Sequence, residues 1–142
     1  MKNLLLTLAI VFSYSLNAQF AVMSAVDLAD GGEEDYLALE EFFAVINKEA
    51  VKQGLQSGQS VWKRTAKEGD QDSAPEYFII NTYSSMEQMQ QGINWQELAQ
   101  KVYKGKMSRR AISRMLDNSN YSAEKERRSY VLKVVDATIR AG

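Results

Sequence analysis

Cysteine and histidine are both absent from this 142-residue chain, and proline occurs only once. Without either side chain, the usual zinc and iron sites lose their ligand sets. A histidine-based triad and a cysteine nucleophile are excluded with them. No disulfide can form, so the folded state depends on packing alone. The chain also lacks G-x-S-x-G, G-x-G-x-x-G and P-loop strings. Asp70, Asp72 and Ser73 form a fragment of an EF-hand-like loop, but Pro75 and Asn81 stand where the loop needs Gly and Glu. No metal and no cofactor is therefore expected. A strong charge of either sign is missing too: the net charge is −1, which gives no general case for nucleic-acid or membrane binding.

Long apolar runs are scarce, and the one at the N-terminus is short. Met1-Lys2-Asn3 is a positive start, Leu4 to Phe12 is almost unbroken apolar sequence, and Ser13 to Ala18 is more polar and ends in a small residue. This is the three-part layout of a secretory signal cleaved after Ala18. Its apolar run is too short to span a bilayer core of about 30 Å. No Cys follows to carry a lipid, so no stable membrane anchor is expected after cleavage. The mature chain then starts at Gln19, and 16 basic residues face 18 acidic ones, since Lys2 leaves with the leader. The expected location is outside the cytoplasm, periplasmic or secreted. Residues 19–142 make one domain, which should bury roughly two-thirds of its unfolded surface.

The strongest pattern that is present is Glu33 to Gly54. Leu39, Phe42, Phe43, Ile46 and Ala50 share one side of a helical wheel, with Tyr36 at the edge, opposite Glu41, Lys48 and Lys52. Glu33, Glu34 and Asp35 in the first turn complement the helix dipole, and Gly54 is placed to stop the helix. Glu40 and Asn47 lie on the border of the apolar stripe, either turned out to solvent or lining a pocket.

Around this helix the chain reads as strands and shorter helices. Phe20–Leu28 is a first strand, Ser60–Thr65 a second and Glu76–Tyr83 a third, the last two forming a hairpin around the polar loop Lys67–Pro75. Ser85 with Gln88, and Asn94 with Glu97, mark the starts of two helical pieces, Met86–Gln91 and Trp95–Tyr103. A third runs from about Ser108 to Asp117. Arg128–Asp136 is the last strand, with a helical lead-in from Ala123. The order β-α-β-β-α-(α)-β is the α+β, ferredoxin-like split βαβ: a four-stranded antiparallel sheet with helices on one face.

A sheet covered on one side should alternate apolar with polar. These strands do not. Phe78 and Ile80 oppose Tyr77, Ile79 and Tyr83, while Leu132 and Val134 oppose Val131 and Val135. A bare face of this kind exposes an apolar patch of several hundred Å² or more, worth many kcal/mol at about 25 cal/mol per Å². A second copy is the simplest cover, giving a homodimer whose two sheets close into a barrel. If Phe78, Ile80, Leu132 and Val134 face the helices, then Tyr77, Asn81, Tyr83 and Lys133 face the barrel interior. Trp62 and Arg64 are assigned inward with them. A buried Asn or Lys needs a partner, supplied by the interior itself, by water, by the second subunit or by a ligand.

These residues resemble a family. The strand order, the doubly apolar sheet, the helix opening GGEEDYLALEEFF, the Gly54 stop before a strand with Trp62, and the hairpin into EYFIINTY look like the dimeric α+β-barrel superfamily. That group includes antibiotic-biosynthesis-monooxygenase-like and stress-responsive barrels, and these stretches look like its small secreted bacterial members of unassigned function. The resemblance covers nearly all of the mature chain and implies a dimer. Its members range from cofactor-independent oxygenases to haem enzymes and plain binding proteins. The haem enzymes use an axial His, which this chain does not have.

Three readings follow. In the first, the domain binds a small apolar molecule between the sheets of a homodimer, with Trp62, Arg64, Tyr77, Asn81, Tyr83, Lys133 and Glu40 as candidate wall residues. In the second it is a cofactor-independent, monooxygenase-like enzyme. In the third the barrel is packed solid and serves structure or interaction. The six basic residues Lys101, Lys104, Lys106, Arg109, Arg110 and Arg114 read as a solvated face or as a docking patch for an acidic partner. Nucleic acid is not an expected partner, because the overall charge is near neutral and the chain is expected to be exported.

Overall fold

The acidic first turn and apolar stripe become helix α1, Glu33–Lys52. Gly32 caps it without a side-chain hydrogen bond, leaving Glu33, Glu34 and Asp35 to complement the exposed amides. At the far end Gly54 takes φ +71°. The N–H groups of Gly54 and Leu55 return to the carbonyls of Val51 and Ala50, each at 3.0 Å, which closes the helix as a Schellman turn. Tyr36, Leu39, Phe42, Ile46, Asn47 and Ala50 are its buried face.

The computed structural model describes residues 19–69, 74–117 and 123–135. The expected leader, the loop residues Asp70, Asp72 and Ser73, and Asp136 lie outside the described residues. Strands β1 (Phe20–Leu28), β2 (Gly58–Lys63), β3 (Tyr77–Tyr83) and β4 (Glu124–Lys133) form one antiparallel sheet in the order β2-β3-β1-β4. Between β3 and β4 come α2 (Met86–Gln90), α3 (Trp95–Val102) and α4 (Arg109–Asp117). This is the ferredoxin-like arrangement, with the second helix broken into three. The breaks follow the local signals. Ser85 Oγ accepts from the Gln88 N–H and Asn94 Oδ1 from the Glu97 N–H, both at 3.1 Å, and Gly92 adopts φ +71° between them. Among the described residues, no helix is long and apolar enough to cross a membrane.

Two strands shift toward the N-terminus. β2 begins at Gly58, two residues before the expected Ser60, and Arg64 and Thr65 fall in the loop beyond it. β4 begins at Glu124, with no helical lead-in from Ala123. Its first half is charged because it is an edge strand. Arg127 pairs with Glu124 and Arg128 with Glu126 along the strand itself, while the backbone pairs with β1.

The facing of the sheet is the reverse of the expected one. Register places Lys63, Tyr77, Val26 and Arg127 in one row, and Gln59, Asn81, Val22 and Val131 in another. These rows lie under the helices: Tyr77 stacks against Tyr36 of α1 with centroids 4.8 Å apart. Tyr77, Ile79, Asn81 and Tyr83 are therefore on the helix side, and Lys133 shares their parity. Phe78, Ile80 and Leu132 are on the open face. Both parities carried apolar residues, so alternation alone could not choose between them. The choice is made by Tyr77, whose hydroxyl also donates to Glu33 at 2.6 Å.

The core has two parts. Phe42, Ile46 and Ala50 of α1 pack with Leu98, Ala99 and Ile112 of α3 and α4. Val26, Leu28, Tyr36, Tyr77 and Ile79 join α1 to the sheet. The six basic residues from Lys101 to Arg114 are all exposed, and Lys101 pairs with Glu49 at 2.6 Å.

Candidate functional site

Where the two core clusters meet, the helices do not close onto the sheet. A cavity of about 450 Å³ remains. Its apolar wall is Leu39 and Phe43 from α1, Ile79 from β3, Trp95 from α3 and Leu116 from α4. Phe43 and Trp95 meet edge to face, centroids 6.3 Å apart. The polar wall is Glu40 and Asn47 from α1, Gln59 from β2, Asn81 from β3, Gln96 from α3 and Arg127 from β4. Helical spacing brings the α1 set together: Leu39, Glu40, Phe43 and Asn47 follow the 3–4 rhythm of one face.

Some of this polar wall is satisfied and some is not. Asn47 donates to the Phe43 carbonyl at 2.9 Å and accepts from Gln56 Nε2 at 2.8 Å. Arg127 holds Glu124 with two bonds, Nε to Oε2 at 3.0 Å and Nη2 to Oε1 at 2.6 Å. The Glu124 side chain is only 3% exposed. Asn81 Oδ1 is buried and has no hydrogen-bond partner. The Tyr36 hydroxyl lies beside Glu40, but without a hydrogen bond of ordinary geometry.

Burial raises the Glu40 carboxyl above its ordinary value of 4.5, against the opposing pull of Tyr36 and Arg127; Glu124 adds to the rise. Burial raises the Tyr36 phenol as well, and the charge on Glu40 reinforces it. A carboxyl held in this way, next to a side-chain amide and a guanidinium, is equipped to grip a polar group on an otherwise apolar molecule. Among the described residues no three carboxylates converge as a metal site.

Of the seven residues expected at a ligand wall, the structure brings two, Glu40 and Asn81, to this cavity. Tyr77 is on the helix side but is occupied by Tyr36 and Glu33. Tyr83 is buried beyond the cavity, and Lys133 is exposed near the end of β4. Trp62 is on the open face, 60% exposed, with its indole N–H donating to Ser60 Oγ. Arg64 spans the β2–β3 loop and donates to the Pro75 carbonyl at 2.8 Å. Sequence reasoning missed Gln59, Trp95, Gln96, Leu116 and Arg127. Arg127 was hidden by placing the start of β4 at Arg128, four residues late. The others come from elements whose packing direction the pattern leaves undetermined.

No family model and no curated protein matches the sequence. Solved structures similar to this one include a dimeric protein of unknown function and ferredoxin-like fold from Bacteroides fragilis, at 10% identity and a TM-score of 0.46, covering 82% of this chain and 97% of the other. A dimeric ferredoxin-like protein from an uncultured marine organism is 10% identical, with a TM-score of 0.47 and coverage of 90% and 96%. A protein of unknown function from Nitrosomonas europaea is 14% identical, with a TM-score of 0.41 and coverage of 89% and 98%.

Proposed function

We propose that this domain is a binding module for a small, mostly apolar molecule, and that the molecule lies between the helices and the sheet rather than between the sheets of two copies. The observation that carries this reading is the cavity of about 450 Å³ lined by Asn81, whose side-chain oxygen lacks a partner. The volume lies within the roughly 300–1,000 Å³ of typical ligand pockets. An unmade bond at a buried acceptor costs about 1–3 kcal/mol. Rotation about the terminal torsion of Asn is soft, so this oxygen can turn to meet a bound donor. In an exported protein, as the N-terminal pattern proposes, such a module would hold its ligand outside the cytoplasm.

The test is a titration with Nile red, a neutral apolar dye. The expected result is saturable binding of Nile red, and of 2-naphthol, whose O–H can donate to Asn81, to the wild-type protein, with 2-naphthol alone weakened about tenfold, or by ~1.4 kcal/mol, in Asn81→Leu. The same substitution replaces an unsatisfied acceptor with an apolar group of similar size, so the variant should be as stable as the parent or more so by about 1 kcal/mol in urea. Nile red that does not saturate, or 2-naphthol that binds Asn81→Leu equally well, overturns the reading.

A separate observation favours a homodimer. On the open face, Ser60, Ile80, Met23 and Tyr130 form one row, and Gly58, Thr82, Ala21 and Leu132 the next. Trp62, Tyr130 and Leu132 are 60%, 45% and 42% exposed. The charged side chains of that face, Asp27, Glu126 and Arg128, gather at one end. A second copy can therefore cover the apolar rows and leave both charged ends in water. Sedimentation should show a dimer at micromolar concentration, and a monomer for the double variant Trp62→Glu, Leu132→Glu with its far-UV circular dichroism retained. A wild-type monomer would remove this reading and leave the cavity untouched.

A further inference from the structure

We infer that the cavity is built for an organic cation, an ammonium on an apolar or aromatic body, with Glu40 as its counter-ion. This rests on the binding reading above and specifies what is bound.

The argument is a count of charges. Three ionisable side chains meet at the polar end of the cavity. Glu40 comes from α1, and Arg127 and Glu124 come from β4. Two carboxylates thus share one guanidinium, and Arg127 is held in a two-bond grip by Glu124. Glu40 makes no ion pair among the described residues. Every other lining side chain, from α1, β2, β3, α3 and α4, is neutral. The remaining titratable group facing Glu40 is Tyr36, one turn earlier on α1. With all three ionised, the site carries one uncompensated negative charge in a partly desolvated place. Such a charge is costly unless paired.

Burial accordingly raises the Glu40 carboxyl above its ordinary value. A cationic ligand relieves that cost by pairing. A neutral ligand leaves the excess in place, and an anion doubles it. The apolar wall fits the same ligand class. Phe43 and Trp95, which meet at 85°, both line the cavity, and an ammonium is attracted to an aromatic face. The Asn81 oxygen is an acceptor for an ammonium N–H.

The experiment compares three probes with one indole body: tryptamine, indole-3-propionamide and indole-3-propionate, each titrated by calorimetry at about pH 7.5, where tryptamine is a cation and the propionate an anion. Tryptamine is expected to bind at least about tenfold more tightly than the amide, with the carboxylate weakest. Glu40→Gln should erase the preference for tryptamine while leaving the affinity for the amide within about threefold, since only the charge is removed. Affinity for tryptamine should rise with pH through a midpoint above 4.5 and lose that dependence in the variant. Cooperative melting at a temperature no lower than the parent's, with Nile red still binding saturably, excludes simple misfolding of Glu40→Gln. Equal affinity for the three probes, or a preference that survives Glu40→Gln, overturns the cation assignment while Nile red still reports the cavity. If Nile red and all three indoles fail to bind, the cavity reading falls as well.

Discussion

Replacing Ile46 with alanine is expected to remove about 2–5 kcal/mol of stability, enough to leave the domain partly unfolded at room temperature if its total lies near the lower end of the usual 5–15 kcal/mol. Ile46 is fully buried in the middle of α1 and packs with Leu98, Ala99 and Ile112. Those neighbours are held by two short helices, which cannot collapse far into the gap without losing their own caps at Asn94 and Ser108. The transfer loss and the cavity cost therefore add. No disulfide is available to offset the loss. Urea denaturation measures it: the midpoint should fall with the slope nearly unchanged. Ile46→Val is the graded control, at about 0.5–1.5 kcal/mol. Leu37→Ala, on the exposed side of the same helix, should stay below about 1 kcal/mol. A loss under about 1 kcal/mol for Ile46→Ala would contradict the packing described here.

Gly32→Ala is expected to cost about 1–3 kcal/mol, although its φ of −82° suits any residue. The reason is space, not backbone freedom. A Cβ at position 32 would sit 2.6 Å from the Ala123 carbonyl oxygen, 3.0 Å from that of Ala29 and 3.1 Å from Ala123 Cα. All three are backbone atoms and cannot swing aside. The same Ala123 oxygen accepts the Ala29 N–H at 2.9 Å. A methyl group would push apart the start of α1 and the start of β4, the two segments that carry Glu40 and the Glu124–Arg127 pair. The variant should therefore lose both stability in urea and affinity for whichever probe fills the cavity. Gly31→Asn next door is the contrast. Position 31 has φ +73° and open space for a Cβ, and Asn tolerates that conformation, so its cost should stay within about 1 kcal/mol.

Much of this fold was legible in the sequence because several signals agreed. At α1 the apolar spacing, the acidic first turn and Gly54 all pointed to the same helix, and it runs to within two residues of the expected end. Ser85 and Asn94 cap the helices they were expected to cap. The facing of the sheet was not legible. Both parities of β3 are apolar, and the deciding contact, Tyr77 on Tyr36, joins residues 41 positions apart. The candidate site was legible only where α1 supplied it. Glu40 and Asn47 marked the border of the stripe, and border positions are where a helix lifts off a sheet. Arg127 and Gln59 reached the site through strand register, which no local pattern records.

The strand order has a consequence for how the molecule is made. β1, the first strand to be synthesised, sits between β3 and β4, and β4 is the last. Until residues 124–133 emerge, one side of β1 offers a row of bare amides and carbonyls to any extended chain nearby. The pairing that covers it joins residues about a hundred positions apart, so it is slow to find. Fragments that stop before Glu124 should therefore aggregate through that open edge rather than remain as soluble intermediates.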